Sequence, residues 1–179
     1  NSSIRADNSL ISNCGKNINI ALGGDYFFTN CTIASYSNNF LSHKSPVLTA
    51  TDIAEQNGSI ISADLNAIFR NCIFWGDNNI VENEAVISKQ GSSIFNVLFD
   101  HSLYKAIDDP ANSILTAVIR NSDPSFDSID VSNKYYDFRI TKNLLAPGID
   151  QGAAIGFLKD LDDNNRIVGQ PDLGCYEKQ

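Results

Sequence analysis

The amino-acid sequence predicts an all-β chain wound into a parallel solenoid. Composition, a repeated segment and the chemistry of one position inside that segment predict it. Among 179 residues there are 21 Asn and 21 Ile, but only four Glu (Glu55, Glu82, Glu84, Glu177) and no Met. That mixture is poor in helix formers and rich in strand and turn formers. Four segments then align: residues 9–14, 26–33, 67–74 and 97–104. Their register sets Ile11, Phe28, Phe69 and Phe99 together, then Asn13, Asn30, Asn71 and His101, then Cys14, Cys31, Cys72 and Ser102. The offsets of 17, 41 and 30 residues correspond to one or two coils of roughly 20 residues with insertions between them.

The third observation is mechanical. Strict alternation over Phe28-Thr29-Asn30-Cys31-Thr32-Ile33 would place Phe28 and Ile33 on opposite faces. Burying both requires a one-residue bend at Asn30. Asn tolerates the left-handed backbone region that such a bend demands. Asn13, Asn30, Asn71 and His101 are therefore expected to stack as corners, with Cys14, Cys31 and Cys72 as a ladder of small side chains just inside.

The elements follow in order. Strand-like residues begin at once, over 3–11, and the reading expects more chain ahead of Asn1. Residues 46–50 and 59–62 read as strands on either side of a loop at 52–58. Residues 75–79 read as a turn, 85–88 and 113–119 as strands, and 103–109 as the best place for a short helical turn. Past Asp123-Pro124 the chain becomes irregular. The expected organisation is one domain: coils over 1–122, then a last coil and capping tail over 123–179.

Charge and hydropathy exclude some partners. A net charge of −8, from 13 Lys+Arg against 21 Asp+Glu, leaves no basic face for nucleic acid. No apolar run approaches the length of a membrane span.

Several segments together resemble a known family. They are Asn71-Cys72-Ile73-Phe74-Trp75-Gly76-Asp77, Asp123-Pro124-Ser125-Phe126, Tyr136-Asp137-Phe138-Arg139-Ile140, Ala146-Pro147-Gly148-Ile149-Asp150-Gln151-Gly152, residues 160–166, and Pro171-Asp172-Leu173-Gly174-Cys175-Tyr176-Glu177. In this order they resemble the right-handed parallel β-helix proteins of Bacteroidetes-type bacteria. Ala146, Asp163 and Cys175 depart from that pattern, where the family usually carries Ser, Gly and Ala. The resemblance implies a right-handed parallel β-helix of four to six coils, secreted or held at the outer-membrane surface of a Gram-negative cell. It implies little about activity.

Candidate chemistry is sparse. The cysteines form no C-x-x-C pair and only two His exist, which disfavours zinc. Coils stacked about 4.8 Å apart fall inside the Cα separation a disulfide tolerates. Both a cross-coil disulfide and free buried thiols are open, and free thiols are the preferred reading. Asp160, Asp162, Asp163 and Asn164 offer hard oxygen ligands for calcium but lack the glycine and distal Glu of an EF-hand loop. The alternative is that they cap turns, and otherwise no cofactor is expected. Arg70, His101 and Lys105 are the cations a polysaccharide lyase would use, although the acidic chain disfavours anionic polymers. Trp75, Tyr104, Tyr135 and Tyr136 are candidates for stacking on sugar rings. Sequons at Asn30 and Asn57 matter only in a eukaryotic secretory setting. The favoured function is a non-catalytic surface or secreted module binding a glycan or a partner protein. A lyase or hydrolase is the alternative, and a structural piece stacking end to end through its first coil is a third.

Overall fold

In the computed structural model, which describes residues 2–77, 80–166 and 168–179, the chain is all-β. The first circuit is β1 (Ser3–Asp7), β2 (Leu10–Ser12) and β3 (Ile18–Ile20). The second is β4 (Gly24–Thr29), β5 (Thr32–Ser35) and β6 (Leu48–Thr51), followed by a hairpin of β7 (Ile53–Gln56) and β8 (Ser59–Ser62). The third is β9 (Leu65–Arg70), β10 (Ile73–Gly76) and β11 (Ala85–Ser88). Two shorter circuits follow, β12 (Phe95–Asp100) with β13 (Leu103–Tyr104) and β14 (Ile114–Thr116) with β15 (Ile119–Arg120), and then a hairpin of β16 (Ser128–Asp130) and β17 (Tyr135–Asp137). Strands of successive circuits pair in parallel. Sheet A is β1-β4-β9-β12-β14, sheet B is β2-β5-β10-β13-β15, and sheet C is β3-β6-β11. The chain therefore visits A, B and C in turn and returns to A. There is no helix among the described residues, so the short helical turn expected at 103–109 is replaced by β13 and a loop. None there is long and apolar enough to cross a membrane.

The A-to-B corners are single residues in the left-handed region: Asn8 (φ 44°), Asn30 (51°), Asn71 (52°), His101 (47°) and Ala117 (48°). Each follows one member of the paired row Asp7, Thr29, Arg70, Asp100, Thr116. This corrects the expected alignment of the first repeat. Asn8 stands in register with Asn30, whereas Asn13 lies at the far end of β2, one residue past the pairing of Ser12 with Ala34. Asn13 also has positive φ (53°), but Cys14 beside it is exposed and outside the ladder. Two left-handed residues so close together, each followed by a small side chain, make the registers hard to separate in sequence. The same corners divide the strands expected over 3–11 and 113–119 in two. Of the turn expected at 75–79, Trp75 and Gly76 belong instead to β10, and Asn78 and Asn79 lie outside the described residues.

Inside each of the first four corners sits a small donor. The Cys31 thiol donates to the carbonyls of Thr29 (3.3 Å) and Ala6 (3.4 Å). The Cys72 thiol does the same to Arg70 (3.3 Å) and Phe28 (3.5 Å), and the Ser102 hydroxyl to Asp100 and Phe69 (3.3 Å each). Ser9 reaches Asp7 O at 2.9 Å. The carbonyls of Thr29, Arg70 and Asp100 already accept the ladder N–H groups of Asn8, Asn30 and Asn71, and –OH or –SH just past the corner supplies each a second donor, which is why Ser and Cys interchange there. Beside this ladder runs the apolar row Ala6, Phe28, Phe69, Phe99, Leu115, with Phe28–Phe69 and Phe69–Phe99 ring centroids 5.5 and 5.0 Å apart.

The insertion at 52–63 projects as an antiparallel hairpin instead of adding to a sheet, with Asn57 and Gly58 both at positive φ in its turn. Buried Asp52 anchors its root by accepting from the backbone N–H groups of Gln90 (2.8 Å) and Gly91 (3.0 Å).

The tail runs back along the flank of sheet B. Leu173 packs with Ile73, Trp75 and Leu103 on that sheet's outer face. Gly174 (φ 86°) lies so near that a Cβ there would approach Thr32 Oγ1 to 2.5 Å. Its N–H donates to Asn71 O (2.8 Å), and the Cys175 N–H donates to Thr32 Oγ1 (3.2 Å). Further along, Asn8 donates to Lys159 O (2.8 Å) and accepts from Arg166 Nε (3.2 Å). The strands β5, β10 and β13 of sheet B are thus buried on both faces.

Two outcomes are expected from this packing. Asn71 is buried and left-handed, donates to Asn30 Oδ1 (2.9 Å) and Ala153 O (2.9 Å), and accepts from Ala153 N–H (2.8 Å). Asn71→Ala is expected to destabilise by about 3 kcal/mol in urea unfolding, from lost hydrogen bonds plus backbone strain. Asn71→Gly, which relieves only the strain, should lose less; equal losses would deny the corner its conformational role. All four cysteines are free and Cys14 alone is exposed. Mass spectrometry should therefore count one thiol label on the native chain and four in denaturant, and fewer than four would mean a disulfide.

Candidate functional site

The outer face of sheet A is built from residues that alternate out of the core. In β4, β9 and β12 the outward side chains are Asp25, Phe27 and Thr29; Asn66, Ile68 and Arg70; and Asn96, Leu98 and Asp100. Pairing aligns them into three rows across the circuits. The middle row, Phe27, Ile68, Leu98 and Ile114, is apolar, with Ile114 65% exposed and the others half-buried. One flanking row carries Asp25, Asn66 and Asn96, where the Asn66 amide donates to Asp25 Oδ1 (3.4 Å). The other carries Thr29, Arg70, Asp100 and Thr116.

Both arginines of this face are paired with an aspartate. Arg5 Nε lies 2.9 Å from Asp7 Oδ2, and Arg70 Nε lies 2.6 Å from Asp100 Oδ2. Asp100 also meets His101 Nδ1 at 2.7 Å. Burial alone would raise the Asp100 carboxyl, but its bonds with His101 and Arg70 hold it below the ordinary carboxylate value. The lyase candidates are thus divided. Arg70 and His101 share one carboxylate at the A-to-B corner. Lys105 leaves sheet B on the other side, where it donates to Asp77 O (2.7 Å) and approaches buried Glu84 (3.8 Å). Glu84 in turn holds His43 Nε2 at 2.9 Å, a buried pair that sequence reading missed because its members stand 41 residues apart.

The aromatic candidates separate as well. Trp75 is 9% exposed under the tail and Tyr104 is fully buried in the core, so neither is open to a sugar. Tyr135 is 57% exposed, and Tyr136 stacks on Phe138 with centroids 6.1 Å apart. Phe27 was overlooked because it sits beside Phe28, and only the alternation of the strand tells the outward ring from the inward one.

In the acidic tail, Asp160 is occupied by the protein itself. Its carboxylate accepts from the backbone N–H groups of Asp162 (2.9 Å), Asn164 (2.7 Å) and Glu177 (2.8 Å), and from the Asn164 amide (3.3 Å). Asp162 pairs with Arg139, and Asp163 is largely exposed beside Lys159. No group of three metal-ligating side chains converges among the described residues. The turn-capping alternative describes this arrangement. Sequence reading did not single out the buried cluster next to it. Arg166 donates to Gly174 O (2.8 Å) and meets Glu177 Oε2 at 3.3 Å, while Asp172 Oδ1 accepts from Asp150 N–H (2.8 Å). Burial pushes the Glu177 carboxyl up to about 7 and raises Asp172 as well.

A hollow of 570 Å³ opens at the first circuit, lined by Ile4, Ala6, Ile11, Ile18, Ile20 and Phe28 among others. Ile4, Ala6 and Ile18 belong to β1 and β3, which are the end strands of their sheets. The chain matches no protein-family model, no curated protein and no solved structure.

The Glu177 cluster makes stability depend on pH. The native carboxyl keeps its proton to about 7, whereas the unfolded one releases it near 4.5. The native state therefore has its full advantage below about 4.5 and loses it as pH rises to about 7. Asp172 acts in the same sense. Thermal melts across this window should show the midpoint falling as pH rises, and Glu177→Gln should flatten that fall. An unchanged slope in the variant would remove Glu177 as its source.

Proposed function

We propose that this chain is a non-catalytic, right-handed parallel β-helix module that binds a glycan through the outer face of sheet A, at the outside of a Gram-negative cell. Five circuits of parallel strands, three visiting sheets A, B and C in one order and two visiting A then B, support the coil, and crossovers between parallel strands are right-handed almost without exception. The location rests on the resemblance of the C-terminal segments. One observation carries the binding assignment: an in-register apolar row, flanked by polar rows, faces solvent across four circuits while the tail covers the corresponding face of sheet B. Arg70 and His101 give the enzymatic reading less support, since both are committed to the one carboxylate of Asp100. End-to-end stacking is the second reading, favoured by the open hollow at the first circuit.

A glycan array probed with and without calcium tests the proposal. Retention of at least one glycan class is expected, with loss of that signal in the Phe27→Ala/Leu98→Ala double variant at an unchanged melting temperature. The sheet C variant Thr49→Ala should retain the signal. Failure to bind any glycan, or binding indifferent to the double variant, would overturn it.

A further inference from the structure

We infer that the sheet A face takes an uncharged, extended polysaccharide lying along the axis of the stack, one sugar to each circuit. The inference rests on the binding role proposed for that face and specifies its ligand.

The repeat of the face sets the direction of the chain. The second, third and fourth circuits present the same cross-section, polar, apolar, polar: Asp25/Phe27/Thr29, then Asn66/Ile68/Arg70, then Asn96/Leu98/Asp100; in the first, Arg5 stands in the middle row. Successive copies are about 4.8 Å apart, the spacing of paired strands. A pyranose has the same cross-section, with an apolar C–H face and hydroxyls around its rim. A ligand running along the strands would meet one apolar side chain and leave the other circuits unused. Running across them, an extended chain places one ring over Phe27, one over Ile68, one over Leu98 and one over Ile114. Its hydroxyls then fall between the Asp25/Asn66/Asn96 row and the Thr29/Arg70/Asp100/Thr116 row. The Asn96 amide and the Thr29 and Thr116 hydroxyls supply donors and acceptors there.

Charge selects a neutral polymer. Both arginines of the face are already paired, Arg5 with Asp7 and Arg70 with Asp100. Asp25 adds a carboxylate with no cation against it among the described residues, and the whole chain carries −8. A uronate polymer would find repulsion where a neutral one finds hydrogen-bond partners. Because the apolar row holds one aromatic ring and three aliphatic side chains, each sugar contributes little. Affinity must accumulate over successive circuits.

Calorimetry on the full chain provides the test. The probes are unbranched β-1,4-linked oligosaccharides of glucose, xylose and mannose, two to six units long, with oligogalacturonate of matched lengths. Affinity for at least one neutral series should rise roughly tenfold from two to four units, equivalent to about 1.4 kcal/mol, and level off beyond. Ile114→Asp, at an exposed position of the last circuit, should remove the gain of the fourth unit. Three results would overturn the inference while leaving the binding role intact: affinity independent of length, oligogalacturonate bound as tightly, or no neutral series bound although the array signal depends on Phe27 and Leu98. Loss of the array signal itself would overturn both.

Discussion

The turn from sheet A to sheet B occupies one residue, held in the left-handed backbone region, and every layer of the molecule is set by it. An ordinary side chain pays about 1–2 kcal/mol to enter that region, so Asn holds the corner in the first three circuits. Because the bend is so short, strands on both sides keep their ladders and Phe28, Phe69 and Phe99 can stack without offset. Just past the bend, Ser9, Cys31, Cys72 and Ser102 donate to the carbonyl that precedes it. Outward, the amides of Asn8 and Asn71 seize the backbone of the returning tail. One conformational requirement thus organises the core, the donor ladder and the cladding.

Much of this is legible in the residues, and the exceptions have physical causes. Phe69-Arg70-Asn71-Cys72-Ile73-Phe74 reads correctly because a bend is the only way to bury both its aromatics. Asn13 misleads because it too is left-handed, at the other end of a three-residue strand. The segments of the tail are readable as a set, but their destination is not: the Leu173 contact with Ile73 depends on a path in space that local chemistry does not encode. Trp75 illustrates the same gap. An aromatic at the end of a strand has the same appearance whether solvent or a distant segment covers it. The binding face was hidden for a different reason, since the row Phe27, Ile68, Leu98, Ile114 exists only once the register of four circuits is known.

The distribution of charge matters more than its sum. On the sheet A face each arginine is cancelled by a neighbouring aspartate, and in the tail Arg166 is buried against Glu177. Such pairing costs desolvation and returns geometry: it fixes side chains that would otherwise be mobile. The buried tail cluster holds more acid than base, and its strained ionisation is the source of a pH response well above the ordinary carboxylate range.

The returning tail also fixes an order of events during synthesis. Cys175 reaches Thr32 across 143 residues and Arg166 reaches Asn8 across 158. At about 5–20 residues per second, the segment that shields sheet B emerges roughly 7–30 s after the strand it will cover. From their own synthesis until Leu173 arrives, Ile73, Trp75 and Leu103 form an apolar strip with no lid, on a surface whose pairing edges are already in place. The nascent chain is therefore most prone to association just before Leu173 is added, and a chaperone that holds the growing stack until then would act where the need is greatest.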